Sequence, residues 1–69
     1  MSIAIELERE DDGRWLAEVP ALPGVMAYGA SKDEALRAVQ TLALRVIADR
    51  LEQGEPVSEA MLSAFHVAA

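Results

Sequence analysis

Ile3, Ile5 and Leu7 alternate with Ala4, Glu6 and Glu8, the period of two shown by a strand with one buried and one wet face. This predicts a first strand over residues 2–9. Glu10-Asp11-Asp12-Gly13 then gathers acidic and glycine residues that tolerate turn geometry, after which Trp15, Ala17 and Val19 alternate with Arg14, Leu16 and Glu18. Two alternating runs about a turn predict a β-hairpin. Val19-Pro20-Ala21-Leu22-Pro23-Gly24 follows as a stiff loop. Each proline locks its own φ near about −65° and pushes the preceding residue towards extended geometry, while Gly24 can take positive φ without steric cost. Beyond the loop, Val25-Met26-Ala27-Tyr28 is long enough for a third short strand, which Gly29 ends.

The pattern then changes period. Ala35, Leu36, Val39, Leu42, Ala43, Val46 and Ile47 recur at i, i+3, i+4 spacing, with Arg37, Thr41, Arg45, Asp49 and Glu52 on the other side. Ser31 followed three residues later by Glu34 fits a capping box, in which each side chain satisfies a backbone N–H at the start of a helix. Asp33 suits the positive end of the helix dipole. Gly54 is placed for a C-terminal cap and Pro56 discourages continuation, so the helix is expected over about residues 32–53. Leu44, Ala48 and Leu51 form a second apolar strip, rotated by roughly 100° or more from the centre of the first. One sheet cannot easily cover both strips, which leaves the second for the C-terminal tail or for a subunit or partner.

In that tail, Ser58-Glu59-Ala60-Met61-Leu62 suits a helical turn and Ala64-Phe65-His66-Val67 reads as a strand. The expected fold class is therefore α+β: an antiparallel three-stranded meander, one long helix packed on the sheet, and a C-terminal strand. Phe65 joins Leu44, Ala48 and Leu51 as a candidate oligomer or partner contact. No linker or repeat interrupts residues 1–69, which read as one domain.

Composition sharpens this picture. A 69-residue chain hides only about 60% of the surface its unfolded form exposes, and one core of this size supplies no more than roughly 3–5 kcal/mol. Cysteine is absent, which excludes disulfides and thiolate metal sites, and 52% of residues are hydrophobic. Burial against other chains, as a homo-oligomer, is expected. Twelve acidic residues against six basic give a formal net charge of −6, which repels a phosphate backbone and argues against direct nucleic-acid binding. No apolar run approaches the roughly 18 residues of a membrane span, and Met1-Ser2-Ile3-Ala4 lacks a basic leader, so a cytoplasmic location is expected.

The candidate chemistry is sparse. Glu6, Glu8, Glu10, Asp11, Asp12 and Glu18 crowd the hairpin, but hard cations need converging oxygen ligands rather than density, and a solvated strand face with a turn accounts for all six. His66 is the one histidine and has no companion cysteine or evident serine and acid arrangement. The glycines are isolated and make no phosphate loop. Basic residues are scattered among acids, and Trp15, Tyr28 and Phe65 make no stacking platform with them. Neither an enzyme nor a metal or cofactor is expected.

Two segments together resemble the N-terminal domain of the HicB antitoxin family: Gly13-Arg14-Trp15-Leu16-Ala17-Glu18-Val19-Pro20-Ala21-Leu22-Pro23-Gly24, and Gly29-Ala30-Ser31-Lys32-Asp33-Glu34-Ala35. The resemblance covers roughly residues 3–55. Its signature positions are Pro20, Leu22, Pro23, Gly24, Gly29, Ser31, Glu34 and Ala35. It implies a β-β-β-α-β domain, a partly degraded ribonuclease H fold. It also implies a partner, a HicA-type toxin: a small basic protein that cuts messenger RNA and that the antitoxin neutralises. An acidic chain suits such a partner electrostatically. Two departures stand out. The sequence ends at Ala69 without room for the C-terminal DNA-binding domain of longer members, so the expectation is no autoregulation through DNA. Val25 and Ser31 stand where relatives often have cysteine and threonine. Alternatives to the antitoxin reading are a solitary, self-associating module without a toxin and a subunit recruited elsewhere.

Overall fold

The computed structural model describes residues 3–63 and 65–68, the Ala60 side chain excepted. Three short strands, β1 (Glu6–Arg9), β2 (Trp15–Glu18) and β3 (Met26–Gly29), precede a long helix, α1 (Lys32–Glu52), and a single helical turn, α2 (Glu59–Leu62). The strands form an antiparallel sheet in the order β1-β2-β3, with Leu7 opposite Ala17 and Ala17 opposite Ala27. The expected meander and helix are present; the strands are shorter than the alternation that announced them. Ile3 and Ile5 pack against the core ahead of β1. Pro20, which has no N–H to give a ladder, follows closely on the end of β2.

The β1–β2 turn is closed from both sides. Gly13 N–H donates to the Glu10 carbonyl at 3.0 Å, Glu10 N–H donates to the Arg14 carbonyl at 2.7 Å, and Gly13 has φ +91°. This is a turn followed by a glycine bulge, a standard hairpin solution.

The loop between β2 and β3 is two successive turns. Leu22 N–H donates to the Val19 carbonyl at 3.0 Å, Val25 N–H to the Leu22 carbonyl at 2.9 Å, and Val19 N–H to the Val25 carbonyl at 3.0 Å. In the second turn Pro23 precedes Gly24 at φ +86°, the residue order of a type II turn. The double turn drives Leu22 inwards until it is fully buried, while Pro20, Ala21, Pro23 and Gly24 stay on the surface. The buried core is Ala17, Val19, Leu22, Val25, Ala35, Val39 and Ile47, so three of its members belong to this loop and its margins.

α1 lies across the β2–β3 side of the sheet. Ser31 Oγ accepts from Glu34 N–H at 3.2 Å, and Glu34 Oε2 reaches back to accept from Ala30 N–H at 3.1 Å, one residue before the serine. At the other end, Glu55 N–H donates to the Arg50 carbonyl at 2.9 Å and Gly54 N–H to the Leu51 carbonyl at 3.2 Å, with Gly54 at φ +71°. These are the paired bonds of a Schellman motif. With 21 residues, α1 is about 31 Å long, against about 13 Å for four-residue strands. The helix outruns the sheet, and the molecule is drawn out to 50 × 22 × 15 Å.

The expected C-terminal strand is not seen: Phe65, His66 and Val67 lie outside any strand, and Ala64 falls outside the described residues. Val57 and Met61 pack against the core, and the chain winds into α2, whose N-terminus Ser58 Oγ caps by accepting from Met61 N–H at 3.4 Å. Phe65 N–H then closes on the Leu62 carbonyl at 3.0 Å, a turn contact rather than a ladder. β-prone residues make a strand only when an edge pairs with them. Here Phe65 is 75% and Val67 98% exposed.

Candidate partner-binding face

Because side chains alternate along a strand, the register sorts the sheet into two faces. Leu7, Ala17 and Ala27 share the level that meets the core. On the outer face, Glu6, Glu18 and Met26 form one row and Glu8, Leu16 and Tyr28 the next. The three glutamates occupy the β1–β2 half, where Glu6, Glu8, Leu16 and Glu18 edge a shallow cleft of about 230 Å³. Met26 and Tyr28 are exposed on β3. One half of the face is thus acidic, and beside it lies an apolar strip.

Glu6 stands directly opposite Glu18. Like charges at cross-strand positions, about 5 Å apart at Cβ, destabilise a sheet by roughly 0.2–1 kcal/mol. None of Glu6, Glu8 and Glu18 has an ion-pair partner among the described residues. The nearby cation is already engaged: Arg14 Nε donates to Asp12 Oδ2 at 2.7 Å, and its guanidinium sits 4.5 Å from the centre of the Tyr28 ring. Arg14 N–H also donates to Asp12 Oδ1 at 3.0 Å. That backbone bond first, then the guanidinium, holds the Asp12 carboxyl below its usual value. Lys32 Nζ lies 5.7 Å from the Trp15 ring. Two basic–aromatic pairs, Arg14 with Tyr28 and Lys32 with Trp15, thus meet because strand pairing and the helix start bring them together.

Chemically, this face can accept ammonium or guanidinium groups on its carboxylates while Leu16, Met26 and Tyr28 receive their aliphatic stems. Leu16, Met26 and Tyr28 were not singled out from the sequence. The available signal was Leu16, an apolar residue at a wet position of β2; Val25-Met26-Ala27-Tyr28 is apolar throughout and has no period to assign faces.

The signature residues do not form one surface. Pro20, Leu22, Pro23 and Gly24 lie before β3, whereas Gly29, Ser31, Glu34 and Ala35 lie at and beyond its end, and the halves meet only through the core, where Leu22 and Ala35 are both buried. Gly29 has a role beyond ending the strand: a Cβ there would stand 2.8 Å from Ala35 Cα and closer still to Ala35 N. Leu44 and Leu51 are 68% and 51% exposed, and Ala48 between them is exposed as well. Phe65 lines a hollow with Leu51, Leu62, His66 and Val67.

Among the described residues no group of three or more His, Asp or Glu is arranged to hold a metal ion, and no helix is long and apolar enough to cross a membrane. In comparisons with known proteins, no family model, curated protein or solved structure matches the chain.

Proposed function

We propose that this chain is a non-enzymatic binding protein, a HicB-like antitoxin that neutralises a small basic HicA-type toxin through the outer face of its sheet. The observation that carries the reading is the Glu6–Glu18 pair: a like-charged cross-strand contact, with Glu8 beside it, for which no basic partner is present among the described residues. A cationic partner relieves that repulsion, and opposite fields also speed encounter. Met26 and Tyr28 supply the kind of exposed, adaptable apolar contact that interfaces favour. The loop and the helix cap serve this face as scaffold, fixing where β3 begins and how α1 is entered.

Co-expression tests the reading. A small basic protein encoded beside this gene should arrest growth, and this chain should relieve the arrest and co-purify with it. The variant Glu6→Lys/Glu18→Lys should fold, lose the rescue and lose the salt-dependent part of the association rate. Relief by the charge-reversed variant equal to that of the natural chain refutes the assignment of the face; failure of the natural chain to relieve or bind the toxin refutes the antitoxin reading. A second reading, a solitary self-associating module, draws on the exposure of Leu44 and Leu51 and predicts no adjacent toxin gene.

A further inference from the structure

α1 carries an exposed stripe away from the sheet, bordered at its Leu51 end by Leu62, Phe65 and Val67 of the tail. At about 100° per residue, Leu51 falls about 20° to one side of Leu44 and Ala48 about 40° to the other, so the three residues line up along one narrow face. On the Ala48 flank, Arg45 and Glu52 are both exposed, and neither has an ion-pair partner among the described residues. Seven positions apart, about 10 Å along the axis, they are too distant to pair with each other within one helix. On the opposite flank, Gln40, Ala43 and Ile47 lead into an apolar hollow of about 340 Å³ shared with Ile3, Ile5 and Val19.

We propose that this stripe is a self-association surface, on which a second copy of the chain packs its own α1 antiparallel about a two-fold axis at Ala48. In that arrangement, residues whose numbers sum to about 96 face one another. Leu44 meets Leu51 of the partner subunit, and Ala48 meets its counterpart, small enough to let the helices approach closely. Arg45 faces Glu52 of the partner subunit, and the symmetry makes the same pair twice. This charge complementarity favours a second copy as the occupant. A chain of net charge −6 repels itself in general, yet along this stripe it presents one cation and one anion at positions that become mutual partners only when the helix is inverted. A parallel pairing sets Leu44 level with Leu44 and leaves Arg45 and Glu52 seven residues out of step. The inference is independent of the antitoxin reading, since the stripe and the outer sheet face share no residue.

Sedimentation equilibrium of the full chain between about 10 μM and about 1 mM, where a small interface associates, should show a monomer–dimer equilibrium. Arg45→Glu or Glu52→Arg alone turns two symmetric attractions into repulsions and should weaken the dimer about tenfold or more. The combined Arg45→Glu/Glu52→Arg variant should return to within about threefold of the natural chain, because the exchange restores both pairs. Leu44→Glu should be monomeric with an unchanged circular dichroism spectrum, since Leu44 is exposed in the single chain. As the chain has no cysteine, Ala48→Cys should give a disulfide-linked dimer on mild oxidation. Asp49→Cys, about 100° further round the helix, should cross-link far more slowly. A natural chain that stays monomeric throughout overturns the proposal and leaves the stripe to another occupant. So does a dimer whose affinity Leu44→Glu leaves unchanged, or a double exchange as weak as its single components.

Discussion

Replacing Gly29 with alanine sets two effects of opposite sign against each other, and the structure decides between them. Gly29 closes β3 without positive φ, so backbone entropy alone favours alanine by roughly 0.4–1 kcal/mol. Against this, the new Cβ would lie 2.8 Å from Ala35 Cα, where carbon atoms settle at about 3.5–4.0 Å. The obstacle is backbone in the first turn of α1, so no rotamer change relieves it. Either the helix start lifts off the sheet or β3 bends, and Ala35, fully buried, loses its packing either way. Overpacking of this kind costs about 1–3 kcal/mol, which leaves a net loss of about 1–2 kcal/mol. At about 4–8 °C per kcal/mol for a domain of this size, the melting temperature should fall by roughly 5–15 °C. Thermal and urea unfolding followed by circular dichroism measure this. Ala35→Gly added to Gly29→Ala should not rescue it, because the clash is with the main chain. A melting temperature equal to or above that of the natural chain refutes the close-approach account of Gly29.

Leu22→Ala removes the plug of the double turn from a fully buried site and should cost about 2–5 kcal/mol, enough to unfold much of the population at 37 °C; urea titration reads it. Pro23→Ala, exposed in the same loop, should change stability by less than about 1 kcal/mol and so separate the loop's packing from its stiffness. Ser31→Ala deletes the side-chain acceptor for Glu34 N–H and should cost about 1 kcal/mol, measured as a shift in urea midpoint at constant slope. Asp12 has a lowered folded-state pKa, so its bond to Arg14 contributes fully above the ordinary aspartate value of about 4 and is lost as pH falls through the lower folded value. Asp12→Asn should therefore lose less stability than the natural chain between neutral and strongly acid pH, by a small margin because both partners are half-exposed and screened.

Much of this architecture was legible in the residue order, because what specifies it is local. The hairpin turn needs glycine at a left-handed position within four residues of its acceptor, and Glu10-Asp11-Asp12-Gly13 supplies it. The Ser31–Glu34 cap and the Gly54 end of α1 likewise find their partners within five residues, so their chemistry can be read without knowing the fold. Val19-Pro20-Ala21-Leu22-Pro23-Gly24 was readable as a stiff loop for the same reason. Its inward-pointing Leu22 was not, since burial depends on what lies beneath the turn. The candidate site was legible in half: Glu6, Glu8 and Glu18 announce a wet strand face by alternation, whereas Leu16, Met26 and Tyr28 join them only through register.

The sequence by itself therefore determined the order of elements as far as the short turn of α2, the turns, the caps and the two apolar strips of α1, all consequences of periodicity and contacts a few residues long. Tertiary structure decided the rest. It set Gly29 against Ala35, placed Glu6 opposite Glu18, and covered one strip of the helix while leaving Leu44 and Leu51 in solvent. It also left Phe65, His66 and Val67, beyond the expected helical turn of α2, outside any strand, because β-propensity becomes a strand only where another strand's edge receives its hydrogen bonds, and no residue's own chemistry supplies that edge.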